Sequence, residues 1–171
     1  MTPRRMVEFS AIAALGLVVA SSAAVAQQKS LKEQLVGAWI VVSTDQTAPD
    51  GKKEQTFGPN AKGLLVYDAS GQYSQIIVNP DTPKFKVNNR LQGTPEENSA
   101  AVRGTTATFG TWSVDEASKT ITVRYAGGMF PNQAGSEAKR IVVSVTADEL
   151  KTTSPSTASG LRADNVYKRA K

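Results

Sequence analysis

Short runs in which apolar and polar residues alternate recur along most of this chain. Ile121, Val123 and Tyr125 alternate with Thr122, Arg124 and Ala126, and Ile141, Val143 and Val145 are likewise spaced by two. A period of two marks a strand with one buried face. Together with β-branched and aromatic content, it predicts eight strands at about 39–45, 63–67, 72–79, 105–114, 119–126, 138–146, 149–153 and 165–169. The alternation assigns Ile121, Val123, Tyr125, Ile141, Val143 and Val145 to the inward face. The same parity puts Arg124 and Arg140 outside, in solvent.

Two helices interrupt this pattern. Ser30 and Glu33 have the spacing of a capping box, which starts a short helix through Leu35 that Gly37 ends. Thr94-Pro95-Glu96-Glu97 combines a cap, a proline at the first helical position and a second capping box, with Gly104 as the stop. Glu96 and Glu97 are adjacent carboxylates, but adjacent helical residues do not face the same way, so capping explains them better than acid–base chemistry.

The connections alternate in length. Those after the second, fourth and sixth strands are tight, with Asp68-Ala69-Ser70-Gly71 supplying a glycine suited to positive φ. Those at about 46–62, 80–104, 127–137 and 154–164 are long. Consecutive connections of an up-and-down meander lie at opposite ends, so all long loops gather at one mouth and all tight turns at one floor. Parallel units would need a crossover helix between most strands; only the 80–104 connection carries one. The predicted fold is therefore all-β, an eight-stranded antiparallel up-and-down barrel. A short N-terminal helix plugs its floor, and one short helix sits in the connection between the third and fourth strands. Such a barrel is wide enough for side chains or one small ligand, and ligand sites favour barrel mouths.

The N-terminus follows a different pattern. Arg4 and Arg5 precede an apolar run from Ala11 to Ala20, and Ala24-Val25-Ala26 completes a cleavage pattern with Gln27 as the first mature residue. The run is too short to span a membrane. The expected organisation is a cleaved signal peptide over 1–26 and one barrel domain over 27–171, exported to the periplasm or secreted, without a membrane span in its mature form. The length of the mature part fits one domain.

Composition narrows the chemistry. The chain has 20 basic and 15 acidic residues, a net charge of +5 that is spread rather than gathered in a stripe. Nucleic-acid binding is not expected. There are no cysteines and no histidines. Disulfides, thiolate nucleophiles, Ser-His-Asp triads and imidazole metal sites are excluded, and neither metal nor cofactor is expected.

Several segments in order carry a family resemblance. Leu35-Val36-Gly37-Ala38-Trp39 contains the G-x-W start of lipocalins. The segment Phe57-Gly58-Pro59-Asn60-Ala61-Lys62-Gly63-Leu64-Leu65-Val66-Tyr67 matches F-G-x-N-x-x-G-x-x-x-Y. The 94–97 helix start, Phe109-Gly110-Thr111-Trp112 and Phe130-Pro131-Asn132-Gln133-Ala134-Gly135 follow in the same order. Over residues 31–168 the chain resembles the bacterial and fungal lipocalin-like domain. The resemblance implies a cup-shaped barrel that carries a small apolar molecule. It also implies a basic side chain, Lys168 or Arg169, stacked on Trp39 at the floor. Where many members carry a His pair and a Glu, the matching positions here are Val123, Arg124 and Ala126, which argues against catalysis.

The expected function is an exported monomeric protein that binds a small lipophilic molecule at the long-loop end. The cavity and mouth candidates are Phe85, Leu91, Phe109, Tyr125, Val123, Phe130, Ile141 and Val143. Tyr67 and Tyr73 flank a floor turn and read as packing, and Phe85, Leu91, Met129 and Phe130 fit either the entrance or their own loops. Two other functions stay open. An isomerase or cyclase would require an inward Asp, Glu or Tyr pair, and a protein-binding module would show a filled barrel.

Overall fold

The computed structural model describes residues 29–171; the expected leader and its cleavage point at Ala26/Gln27 lie outside them. Ser30 and Glu33 form the reciprocal cap of α1 (Leu31–Leu35). Thr94 and Glu97 do the same for α2 (Pro95–Arg103). The strands are β1 (Gly37–Thr47), β2 (Lys53–Glu54), β3 (Lys62–Tyr67), β4 (Gln72–Val78), β5 (Thr105–Asp115), β6 (Thr120–Gly128), β7 (Glu137–Val145), β8 (Glu149–Ser154) and β9 (Arg162–Arg169). A single 3-10 turn, Pro131–Gln133, lies in the β6–β7 loop. The eight predicted strands are all present, with ends shifted by up to three residues; β2 is an addition inside the first long loop.

β1 pairs antiparallel with β3, each strand from β3 to β8 pairs antiparallel with the next, and β1 closes on β9 from Trp39↔Arg169 to Thr47↔Arg162. The result is a closed eight-stranded barrel, with β2 appended to the end of β1. Closure pairs the two strands an open sheet would leave as edges. Three bulges break the pleat, at Val41/Ser43, Phe109/Gly110 and Val142/Ser144. Each extra residue lets the strand bend and resets which face its side chains occupy.

The tight turns 68–71, 116–119 and 146–148 share one pole with α1. The connections 48–61, 79–104, 129–136 and 155–161 occupy the other. The floor is filled by Leu35, Trp39, Leu65 and Leu150, all fully buried. Trp39 Nε1 donates to the Leu35 carbonyl at 2.8 Å. Arg169 lies over the indole, its guanidinium carbon 4.0 Å from the ring centroid. It also donates to the carbonyls of Gln34 (2.8 Å) and Val36 (3.0 Å) and to that of Ala147. The Gln34 and Val36 carbonyls are among those a helix C-terminus leaves without partners. At the other end of α1, the Glu116 carboxylate accepts from the backbone N–H of Leu31 (2.8 Å) and Lys32 (3.0 Å). The plug is thus tied to three separate floor segments. Lys168, the other floor candidate, alternates to the outer face and is exposed.

Candidate functional site

A cavity of about 600 Å³ opens at the long-loop pole. That lies within the range of small-molecule sites. Phe57, Val102, Arg103, Phe130, Gln133 and the 156–159 loop form its rim. Its wall carries Thr44, Gln46, Gln75, Ile77, Thr108, Tyr125, Ala138, Arg140 and Asn165. No aspartate or glutamate among the described residues lines it. Among the described residues, no cluster of three His, Cys, Asp or Glu is placed to hold a metal. None of their helices is long and apolar enough to cross a membrane.

The parity of β7 is the main correction to the sequence reading. Arg140 is 5% exposed, whereas Ile141 is 42% and Val143 60% exposed. The cause is register. Ile121 pairs with Arg140, and Val123 with Ala138. Directly opposed residues share a face of the sheet. Ile121 and Val123 are fully buried, so Ala138 and Arg140 must also face inward, against the hydrophobic alternation of β7 itself. Val142 is buried with them, and the bulge after it leaves Val145 half-buried. Arg124 does point outward, where it pairs with Glu137.

The other candidates divide. Tyr125 and Phe130 line the cavity, Tyr125 as a buried wall residue and Phe130 at the rim. Val123 is buried in the core without reaching the cavity. Phe109 is turned outward, because Thr108, Gly110 and Trp112 take the inward positions of β5, and it is 56% exposed. Its ring covers Gly127, where an added Cβ would lie 3.0 Å from it. Leu91 is 84% exposed at a loop tip. Phe85 is half-buried beside Gly93 in its own loop, away from the lining. Phe109, Leu91, Phe85, Ile141 and Val143 are therefore not cavity residues.

Around Arg140 the structure assembles groups that sequence reasoning did not connect. The four tyrosines of the chain, Tyr67, Tyr73, Tyr125 and Tyr167, all lie buried inside the barrel. Arg140 Nη2 donates to Tyr73 Oη (2.6 Å) and Gln75 Oε1 (2.7 Å), and Nη1 to Tyr67 Oη (3.3 Å). Gln75 Nε2 donates to Tyr167 Oη at 3.0 Å. Tyr73 and Thr108 share a hydrogen bond at 3.1 Å. Tyr67 packs on Trp112 with ring centroids 4.7 Å apart. The guanidinium therefore reaches from the middle of β7 down toward the two tyrosines that flank the floor turn.

Burial disfavours the phenolates. It pushes the Tyr67 hydroxyl up to about 12 and raises Tyr125 and Tyr167 as well, although the Arg140 charge pulls each back. Burial also opposes the Arg140 charge, but the surrounding phenols outweigh it and hold its pKa well above the ordinary arginine value. At neutral pH the box is one guanidinium among neutral oxygens. The sequence signal that points to it is the polar interruption of β4, where Gln75 sits between Tyr73 and Ile77 on the inward face. The partner to that signal, Arg140, is hidden by the misleading alternation of β7.

A closed antiparallel cup with a plugged floor, an indole–guanidinium stack beneath it and a cavity at the ragged end defines the lipocalin-like class. The sequence matches the lipocalin-like domain family over residues 36–170, and the chain belongs to that family. A lipocalin-like protein from Bacteroides uniformis superposes with a TM-score of 0.43 at 13% identity, covering 80% of this chain and 99% of that one. A bovine odorant-binding protein, solved with a selenium-containing odorant, gives 0.42 at 15% identity, covering 85% and 76%. A de novo designed fluorescence-activating β-barrel gives 0.42 at 9% identity, covering 84% and 100%. A comparison with curated proteins finds no match.

Proposed function

We propose that this protein binds a small, partly lipophilic molecule in its barrel, admitting it through the long-loop mouth. The observation that carries this reading is the cavity of about 600 Å³, bounded by one continuous barrel wall and a plugged floor. Phe57, Ile77, Val102, Tyr125 and Phe130 supply apolar and aromatic contact. Thr108, Gln46 and Asn165 offer polar groups that fix orientation. Gln46 Oε1 is buried without a hydrogen-bond partner, which suits a site completed by a guest or by water.

Acid–base chemistry has less support. Tyr67, Tyr125 and Tyr167, held protonated by burial, are poor bases at neutral pH, and among the described residues no carboxylate lines the cavity. The leader-like pattern over 1–26 supports export to the periplasm or beyond, and paired strand edges support a monomer. N-terminal sequencing of the protein from fractionated cells tests the first, with Gln27 expected at the start. Sedimentation of the mature chain tests the second.

The test of binding is native mass spectrometry of protein purified from its own host, followed by titration of the delipidated protein with the neutral probe N-phenyl-1-naphthylamine. A co-purifying mass that is lost on delipidation, with saturable probe uptake afterwards, is the expected result. A protein that neither releases a molecule nor takes up the probe would refute the reading.

A further inference from the structure

We propose that Arg140 is the anchor for the carboxylate of an amphiphilic guest, so that this barrel selects ionised acids over neutral molecules of the same length. The inference rests on the cavity being a binding site.

Three observations converge on it. The first is the missing counter-ion. Arg140 is 5% exposed, and the four ion pairs among the described residues are all surface pairs that leave it out. A buried charge is costly unless it is paired. Here its hydrogen-bond partners are the neutral oxygens of Tyr67, Tyr73 and Gln75. They solvate the cation without neutralising it.

The second is that donors are left over. A guanidinium has five N–H bonds, and three hydrogen bonds are formed, which leaves two. Arg140 lines the cavity, which puts its guanidinium within reach of a guest in that volume. A guanidinium fork matches a carboxylate in geometry as well as in charge.

The third is the field. Arg103 stands at the rim, and among the described residues no acidic side chain lines the wall to offset either arginine. Low-dielectric walls concentrate such a field and favour anions. One buried cation calls for one negative charge, and the apolar rim residues would hold the chain of the guest. Phenols beside the cation donate to a carboxylate once it arrives, because rotating a hydroxyl costs little. Gln75, which faces the guanidinium from β4, is an amide where a glutamate would have given the barrel its own internal counter-ion.

Calorimetric titrations of the delipidated mature protein at pH 8 would use decanoate, 1-decanol and methyl decanoate, with N-phenyl-1-naphthylamine as a neutral reporter of the cavity. Decanoate is expected to bind about 10- to 100-fold more tightly than either neutral analogue, the gain of a charge-assisted hydrogen bond. Arg140→Met should erase that ratio while the probe still binds. Gln75→Glu, which keeps the shape and places a carboxylate on the guanidinium, should erase it too and raise Tm. This second variant keeps the test decisive should Arg140→Met fail to fold. Equal binding of decanoate and decanol by the parent protein would overturn the anchor and leave the binding reading standing. So would a preference that survives both substitutions, since the anion would then sit elsewhere. Uptake of none of the four compounds would overturn the binding reading itself.

Discussion

Two arginines in this barrel lie against aromatic rings, and their surroundings differ in kind. Arg169 stacks on Trp39 at 4.0 Å and donates to the carbonyls of Gln34, Val36 and Ala147 while keeping contact with solvent. Arg140 lies 5.1 Å from the Tyr73 ring centroid, is buried, and bonds only to side-chain oxygens. Arg169 meets backbone groups that a helix end and a tight turn leave open, so both sides of each hydrogen bond gain. Arg140 meets neutral side-chain oxygens, two of which, on Tyr73 and Gln75, also bond each other, and its charge is left over. The first arrangement is what a structural clamp needs. The second makes sense where a further partner completes it.

Breaking the clamp should have the largest effect. Arg169→Ala loses a cation–π contact and three hydrogen bonds to carbonyls, and a loss of about 2–4 kcal/mol is expected in urea unfolding. Decanoate affinity of the molecules that remain folded should not change. A stability loss below that range, or a selective loss of acid binding, would erase the contrast between the two arginines.

The plug offers a second, smaller test of the floor. Glu116→Ala removes the carboxylate that accepts from Leu31 and Lys32 at the start of α1. Tm should fall by about 2–4 °C, with ligand binding intact. An unchanged Tm would show that the plug is held from its C-terminal end alone.

The tyrosine box can be read by pH. Tyr67 is raised to about 12 in the folded state. A raised pKa means that the folded state holds its proton more tightly than the unfolded chain. The stability this contributes is complete below the unfolded value near 10 and is lost as pH climbs through the folded one. Absorbance at 295 nm should therefore show delayed tyrosine ionisation, with the remainder appearing together with the loss of β-sheet circular dichroism between about pH 10 and 12. Ionisation of all four tyrosines near pH 10 in a folded barrel would show that the box is open to water.

Removing the unpaired cation should cost little. Arg140→Met takes away three hydrogen bonds and also the desolvation of a buried charge, and the unliganded protein is expected to stay within about 1 kcal/mol of the parent. A large loss would place Arg140 with Arg169 among the structural residues. The smallest effect belongs to Ile141→Thr and Val143→Thr. Both residues are on the outer face, so stability should move by about 0.5 kcal/mol or less and probe affinity not at all. A marked fall in affinity would restore the inward parity that the alternation of β7 suggests.

Much of the architecture was legible without coordinates, and the reason is local. Strand existence follows from β-branched runs and a period of two. Turns follow from residues such as Gly71, which adopts φ +92° between β3 and β4. The helix starts at Ser30 and Thr94 carry their own hydrogen-bond logic. Alternating loop lengths then force a mouth and a floor. Of the site, Tyr125 and Phe130 are legible because mouth proximity is a matter of position along the meander, Tyr125 near a strand's mouth end and Phe130 in a long loop. Phe109, Ile141 and Val143 were misplaced because which face a strand turns inward is decided by its neighbours and by bulges, both invisible in the strand's own residues.

The amino-acid sequence by itself determined the strands, their order, the polarity of the loops and the absence of thiol and imidazole chemistry, since each depends on residues near one another in the chain. Tertiary structure alone decided that Arg140 faces inward and that four tyrosines from β3, β4, β6 and β9 meet around it. Cross-strand register set that choice, because burying Ile121 and Val123 turned the β7 residues opposite them toward the same interior. A single arginine was thereby enclosed without an acid to match it.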